Sequence, residues 1–192
     1  MKLIVLDRDG VINEDSDEYI KSEAEWHPIP GSLEAIVRLN HAGYTVAVAT
    51  NQSGIARGYY NVATLSAMHR KMDELLASLG GRVDAVFFCP HGPKEGCDCR
   101  KPAPGLLRQI GERYQHDMKG VKFIGDSISD MKAAVAIKAQ PVLVKTGKGE
   151  QTIEQLQSNG INGALIYDNL ADAVDAILDS DAVDTILDKE RG

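Results

Sequence analysis

The stretch LIVLDRDG at residues 3–10 decides how the rest of this chain is interpreted. Leu3 to Leu6 form an uninterrupted apolar run, which is typical of a strand buried on both faces of a parallel sheet. Asp7 and Asp9 follow at once, so the pattern predicts two carboxylates at the carboxyl end of that strand. Ligands of open α/β sheets bind beyond such strand ends. We therefore expect a polar functional site here.

Further strand–helix units follow along the chain. The predicted strands are 44–49, 83–88, 121–124, 141–144 and 164–167, and the predicted helices are 31–42, 64–79, 104–114 and 131–137. This alternation is typical of an α/β fold in which a doubly wound parallel sheet carries helices on both faces. Ser32 is a plausible cap of the first helix. The similar segments 173–178 and 182–187 predict one amphipathic helix, or two, rather than a repeat architecture.

Length and composition indicate a single globular domain over residues 1–192, with 43% hydrophobic and 26% charged residues. No apolar run approaches the ~20 residues that span a bilayer, and the first residues lack the character of a signal peptide. We therefore expect a cytoplasmic protein, a monomer, with no membrane contact. The net charge of −7, without a basic stripe, argues against binding to nucleic acid.

Three further motifs stand at predicted strand ends or before a helix. Thr50-Asn51-Gln52-Ser53-Gly54 ends the second strand, Lys101-Pro102 precedes a helix, and Gly125-Asp126-Ser127-Ile128-Ser129-Asp130 ends the fourth strand. With Asp7-Arg8-Asp9, these motifs agree in order, placement and residue type with those of the haloacid dehalogenase superfamily, which the sequence resembles. The resemblance implies a Rossmann-like phosphatase fold.

Several carboxylates would gather at the strand ends of this fold. Two like charges about 4 Å apart repel by ~4 kcal/mol at an effective dielectric constant of 20, so the cluster favours a cation. Oxygen ligands, with water and phosphate completing the shell, suit Mg²⁺. The resemblance implies that Mg²⁺ is held by the Asp7 carboxylate, the Asp9 backbone carbonyl and Asp126. Asp130 is then expected to brace Lys101 or a metal-bound water.

The resemblance also implies a phosphatase that works through an aspartyl-phosphate. Asp7 is expected to attack phosphorus, while Asp9 protonates the leaving oxygen and then activates the hydrolytic water. Lys101 and Thr50 are expected to stabilise the phosphoryl oxygens together with nearby backbone amides.

A cysteine-rich segment precedes Lys101. The three cysteines of the chain and one histidine form the pattern C-x-H-x5-C-x-C, with Cys89, His91, Cys97 and Cys99. Three thiolates and an imidazole complete a tetrahedral Zn²⁺ site and leave no position for water. Residues 92–96 between them contain no apolar side chain that could build a core. We therefore predict a structural Zn²⁺ that holds Arg100 and Lys101 over the phosphate site.

The zinc loop narrows the resemblance further. From Met1 to about Leu178, the sequence resembles the D-glycero-D-manno-heptose-1,7-bisphosphate 7-phosphatases and the related histidinol-phosphate phosphatases. This resemblance implies that no cap domain is present and that the loop 15–19 and the zinc loop frame a small phosphorylated sugar. Substrate contacts are then expected from Asp15, Tyr19, Asn51, Gln52, Ser53, Arg57 and Arg100.

The substrate stays open between a heptose bisphosphate, used for lipopolysaccharide core precursors, and histidinol phosphate, used for histidine. A free-standing chain favours the bisphosphate, whose second phosphate could meet Arg57 or Arg100. A non-catalytic zinc-stabilised binding module is a further alternative, but it would be expected to have a damaged carboxylate set. A phosphatase acting on nucleic-acid ends conflicts with the acidic charge.

Overall fold

The computed structural model describes residues 1–191, in which six parallel strands form one sheet. The strands are β1 (Lys2–Leu6), β2 (Tyr44–Asn51), β3 (Ala85–Cys89), β4 (Lys122–Gly125), β5 (Gln140–Val144) and β6 (Leu165–Tyr167). Their order across the sheet is β3-β2-β1-β4-β5-β6. The chain changes direction across the sheet between β1 and β4, which places the expected ligand crevice beyond the ends of these two strands.

Helices cover both faces of the sheet, so the predicted doubly wound α/β fold is confirmed. They are α1 (Ser32–His41), α2 (Val62–Ser78), α3 (Gly105–Tyr114), α4 (Ile128–Ala136), α5 (Gly149–Leu156) and α6 (Leu170–Arg191). Helix α5 was not predicted from the sequence, and α6 includes both of the similar C-terminal segments in one helix. Within the described residues, no helix has the length and apolar character to cross a membrane.

Strand β1 is apolar throughout because both of its faces are covered. Ile4 and Leu6 belong to a core with α1, α2 and α6, whereas Leu3 and Val5 belong to a second core with α3 and α4. Successive side chains of a strand point to opposite faces, so four apolar residues in a row fill two cores. The chain therefore leaves β1 at a fixed position, with Asp7 directly beyond the sheet.

The predicted capping role of Ser32 is wrong. The N-cap of α1 is Gly31, whose φ of 82° lies in the left-handed region, and no side chain caps the helix there. Ser32 is instead the first helical residue, and its hydroxyl donates to the carbonyl of Ile12 at 2.6 Å. This contact ties the start of α1 to the loop that follows β1.

The two longest connections in the described chain, residues 7–31 and 90–104, contain no helix or extended strand. Both emerge at the carboxyl end of the sheet, after β1 and β3. Neither forms a folded layer of its own, in agreement with the expectation that a cap domain is absent.

Candidate active site

A cleft of about 360 Å³ opens at the carboxyl edge of the sheet. Residues from the end of β2, the loops after β1, β2, β3 and β5, and the segment that follows β4 line it. Almost all of the predicted catalytic, magnesium-binding and substrate-binding residues take part, namely Asp7, Asp9, Asp15, Tyr19, Thr50, Asn51, Gln52, Ser53, Arg100, Lys101 and Asp126. Arg57 is the exception, because it does not belong to the lining of this cleft.

Lys101 brings a buried positive charge to the floor of the cleft, where its residue is only 3% exposed. Its Nζ lies 2.9 Å from Oδ1 of Asp7 and 2.6 Å from Oδ1 of Asp130, and it donates to the carbonyl of Ala49 at 2.8 Å. Burial opposes the charge, but the carboxylates of Asp130 and Asp7 outweigh it and raise the pKa of Lys101 above its ordinary value. The side chain is therefore a fixed ammonium beside the predicted nucleophile.

Asp126 sits in a tight cradle of backbone. Its Oδ2 accepts a hydrogen bond from the backbone N–H of Lys148 at 2.8 Å. A Cβ placed on Gly10 or on Gly147 would come within 2.2 Å of the same oxygen, so larger residues do not fit at either position. Burial and the nearby Asp130 raise the pKa of Asp126 to about 7.

The carboxylate oxygens of Asp7, Asp126 and Asp130 lie within 4.8 Å of one another and could hold a metal ion. Burial, followed by the charge of Asp130, raises the pKa of Asp7 well above its ordinary value. When all three carboxylates are ionised, the ammonium of Lys101 leaves an excess of two negative charges among these four groups. A divalent cation with oxygen ligands matches both the charge and the chemistry of this cluster.

Asp9 is held by donors on several sides. Arg8 donates to its carboxylate through Nε at 3.1 Å and Nη2 at 2.8 Å, while Asn13 and Gln52 each donate at 2.9 Å. Although burial opposes it, the Arg8 charge and these hydrogen bonds lower the pKa of Asp9. Arg8 is itself 1% exposed, and its Nη1 donates to Nε2 of His69 at 3.3 Å. Asp9 is thus held ionised and oriented.

Three residues that were not predicted from the sequence also shape this site. Arg8 holds Asp9, Tyr60 donates through its hydroxyl to Oε1 of Gln52 at 2.5 Å, and Lys148 places its Nζ 3.2 Å from Oδ2 of Asp15. Lys148 and Tyr60 both line the cleft. The position of Lys148 just after the predicted fifth strand was a usable signal, because that strand also ends at the ligand-binding edge of the sheet.

The four predicted zinc ligands converge in one cluster. Sγ of Cys89 lies 3.1 Å from Sγ of Cys99 and 3.6 Å from Sγ of Cys97, and Nδ1 of His91 lies 3.3 Å from Sγ of Cys99. Thiolates about 2.3 Å from a tetrahedral Zn²⁺ would stand about 3.8 Å apart, so the cluster is close to the required size. Burial, followed by the contact with Cys99, raises the pKa of Cys89 above its ordinary value.

The loop that carries these four residues continues directly into the cleft. Arg100 lines it, and its Nη1 donates to the carbonyl of His91 at 3.3 Å. The backbone N–H of Lys101 donates to Oδ1 of Asn51 at 3.0 Å, and Nδ2 of Asn51 donates back to the Lys101 carbonyl at 3.1 Å. This reciprocal pair fixes the backbone from which the Lys101 side chain reaches Asp7.

Comparison with known proteins places these features in a family context. The family model Hydrolase_like, which describes HAD-like hydrolases, matches residues 98–173. The D-glycero-β-D-manno-heptose-1,7-bisphosphate 7-phosphatase of Pseudomonas aeruginosa is 60% identical over 92% of this chain and 97% of its own length. The enzyme of the same name from Bordetella bronchiseptica is 51% identical over 93% of this chain and 98% of its own.

Two solved structures of heptose bisphosphate phosphatases are also similar to this chain. The D,D-heptose 1,7-bisphosphate phosphatase of B. bronchiseptica, in complex with magnesium and phosphate, superposes with a TM-score of 0.90 at 51% identity, covering 94% of this chain and 99% of that chain. The corresponding phosphatase of Burkholderia thailandensis gives a TM-score of 0.72 at 44% identity, covering 93% of this chain and 99% of that one.

Proposed function

We propose that this chain has the activity of its relatives, because it belongs to the family of D-glycero-β-D-manno-heptose-1,7-bisphosphate 7-phosphatases, which are HAD-like hydrolases. The chain is a phosphoric monoester hydrolase that removes the C7 phosphate of the heptose bisphosphate. Its high identity to named heptose bisphosphate phosphatases favours this substrate over histidinol phosphate. The observation that carries the chemistry is the Lys101 ammonium fixed between Asp7 and Asp130 at the cleft floor.

Asp7 is the proposed nucleophile. One of its carboxylate oxygens forms a bond to phosphorus as the bond from phosphorus to the C7 oxygen breaks, which leaves an aspartyl-phosphate and a heptose hydroxyl. Lys101 lies within hydrogen-bond distance of Asp7, so the same ammonium can stabilise charge on the phosphoryl oxygens during transfer. Thr50 lines the cleft and supplies a hydroxyl to the same group.

Asp9 is the proposed acid and base. It gives a proton to the leaving C7 oxygen and later takes one from the water that attacks the aspartyl-phosphate, releasing inorganic phosphate and free Asp7. Without substrate, Arg8 and the hydrogen bonds of Asn13 and Gln52 lower the pKa of Asp9. An arriving phosphate brings negative charge, which raises the proton affinity of a nearby carboxylate and prepares it for the acid step.

Two different metal ions fit the two ligand sets. The Asp7 carboxylate, the Asp9 backbone carbonyl and Asp126 would hold Mg²⁺, which when bound neutralises the phosphate so that an anionic nucleophile can approach it. Magnesium is present in the complex of the B. bronchiseptica relative. Cys89, His91, Cys97 and Cys99 would hold a structural Zn²⁺, a proposal supported by their soft donor atoms and mutual distances.

Arg100 is the proposed partner of the second phosphate. It lines both the main cleft and an adjoining pocket that runs beside the zinc loop. Its planar guanidinium can grip two phosphate oxygens at once, which suits a substrate with a phosphate at each end. Asp15, Tyr19, Gln52 and Ser53 are then proposed to contact the sugar or the transferred phosphate. The single-domain organisation, the monomeric state and the cytoplasmic location stay predictions.

A substrate panel tests this function. We expect D-glycero-β-D-manno-heptose 1,7-bisphosphate to give a higher kcat/KM than histidinol phosphate or fructose 1,6-bisphosphate, and we expect phosphate to be released from C7. Phosphate release with Mg²⁺ and each substrate would be compared at equal concentrations of one preparation. A kcat/KM for histidinol phosphate that equals or exceeds the value for the heptose would contradict the proposal.

A further inference from the structure

Tyr19 forms part of one wall of the cleft, and two side chains outside the cleft lining contact its ring. The Cζ of Arg57 lies over the Tyr19 ring, 5.7 Å from its centroid. The ring of Tyr59 meets it edge-on, with centroids 5.1 Å apart and planes at 61°. Arg57 and Tyr59 are both exposed and belong to the loop after β2, whereas Tyr19 belongs to the loop after β1. The contacts therefore join two separate loops across the rim of the site.

The backbone of Tyr19 needs such support. Its φ of 67° lies in the left-handed region, which residues with a Cβ adopt rarely. The local hydrogen bond there joins the Tyr19 N–H to the carbonyl of Ser16 at 3.0 Å. A strained residue persists where surrounding contacts hold it in place. The same loop carries Asp15, which pairs with Lys148 of the cleft lining.

We propose that Arg57 and Tyr59 form a clamp on Tyr19 that sets the substrate specificity of the cleft. Arg57 is then a positioning residue rather than a ligand of the second phosphate. Its guanidinium lies against the Tyr19 ring and outside the cleft lining, which is where a clamp acts and a phosphate ligand does not. The inference rests on the proposed function, because it assigns the Tyr19 wall to the sugar portion of a heptose phosphate.

The clamp predicts a particular pattern across three substrates. Heptose 1,7-bisphosphate and heptose 7-phosphate both place a sugar against Tyr19, whereas acetyl phosphate is too small to do so. For Arg57→Ala and for Tyr59→Ala, we expect KM to rise about three- to tenfold for both heptoses, with kcat nearly unchanged and acetyl phosphate unaffected. Arg57→Lys keeps a cation above the ring and should recover part of the loss. Arg70→Ala, at an exposed arginine on α2, is the matched control and should behave as wild type.

Hydrogen exchange of residues 15–19 gives a readout that needs no substrate. Faster exchange of this segment in Arg57→Ala, together with equal losses for the two heptoses, supports the clamp. A loss confined to the bisphosphate, with unchanged exchange, would overturn it and make Arg57 a direct phosphate contact. Wild-type values for both heptoses and unchanged exchange would also overturn it. If wild-type enzyme hydrolyses acetyl phosphate but neither heptose, the proposed function fails, and the exchange data alone then decide whether the clamp exists.

Discussion

Replacing Lys101 with methionine tests the central feature of the proposed site. The substitution keeps an unbranched side chain of similar length but removes the ammonium that contacts Asp7 and Asp130. We expect two losses from one change. The phosphoryl oxygens lose a stabilising charge, and two buried carboxylates lose the cation that neutralises them.

Typical effects of comparable substitutions give a magnitude for each loss. Removing one preorganised donor at a developing negative charge typically costs a factor of about 10²–10³ in kcat. Removing one partner of a buried ion pair typically costs about 3–5 kcal/mol of folding stability, and Lys101 is 3% exposed. The pKa of Asp7 is already raised in the folded protein, so folding favours its protonated form. The associated stability is present at low pH and is lost as the pH rises through the pKa of the folded state. Without Lys101 that pKa rises further, and the destabilisation should be greater at pH 7.5 than at pH 5.5.

Urea unfolding at the two pH values, without Mg²⁺, measures the stability loss, and steady-state kinetics with saturating Mg²⁺ measures the catalytic loss. The double variant Lys101→Met/Asp130→Asn separates the two effects, because it also removes one of the orphaned carboxylates. It should regain about 1–2 kcal/mol of the lost stability and stay as inactive as the single variant. A folded Lys101→Met enzyme with kcat/KM within tenfold of wild type would refute the role assigned to Lys101, as would a return of activity along with stability in the double variant.

Three other predictions concern the nucleophile, the metals and the second phosphate. Asp7→Asn keeps the size of the side chain but removes the nucleophilic charge. Circular dichroism should therefore show a folded protein, while turnover falls far more than tenfold. Activity within tenfold of wild type would exclude the covalent mechanism. Elemental analysis should find close to one zinc per chain after purification, because thiolates retain Zn²⁺. EDTA should stop the activity and Mg²⁺ should restore it, because oxygen ligands release Mg²⁺ readily. A folded, active protein without zinc would contradict the structural role. Arg100→Ala should lower kcat/KM about ten- to hundredfold for heptose 1,7-bisphosphate but little for a small monophosphate, whereas an equal fall for both would place Arg100 at the transferred phosphate.

The sheet and the centre of the site could be predicted because they follow from repeating patterns. Parallel strands bring their carboxyl ends to one edge, so the motif residues at Asp7 and Asp126 had to meet there once the strands were recognised. Helix α5 lacks such a pattern. Its buried side chains include Thr152 and Leu156 within an otherwise polar segment, and the segment therefore has too few apolar residues at helical spacing to be identified.

Side chains whose partners lie far along the chain could not be placed. Arg8 stands between the two motif aspartates, but its buried guanidinium contacts His69, which is 61 residues away on α2. For Arg57, the positive charge alone led to the hypothesis that it contacts the second phosphate of the substrate. In the structure its guanidinium lies over the Tyr19 ring, and local sequence holds no information about that contact between loops.

The cysteine cluster and the proposed phosphate site are connected through the backbone around Lys101. Asn51 pairs with Cys89 in the ladder between β2 and β3, and its side-chain amide holds the backbone of Lys101 on both sides. Cys99, two residues before Lys101, is part of the cysteine cluster. The end of β3 is thus paired with Asn51 and carries a member of the cysteine cluster, and both contacts help to fix the backbone from which the Lys101 side chain reaches Asp7. A metal ion held by that cluster would in this way influence phosphoryl transfer through the position of Lys101.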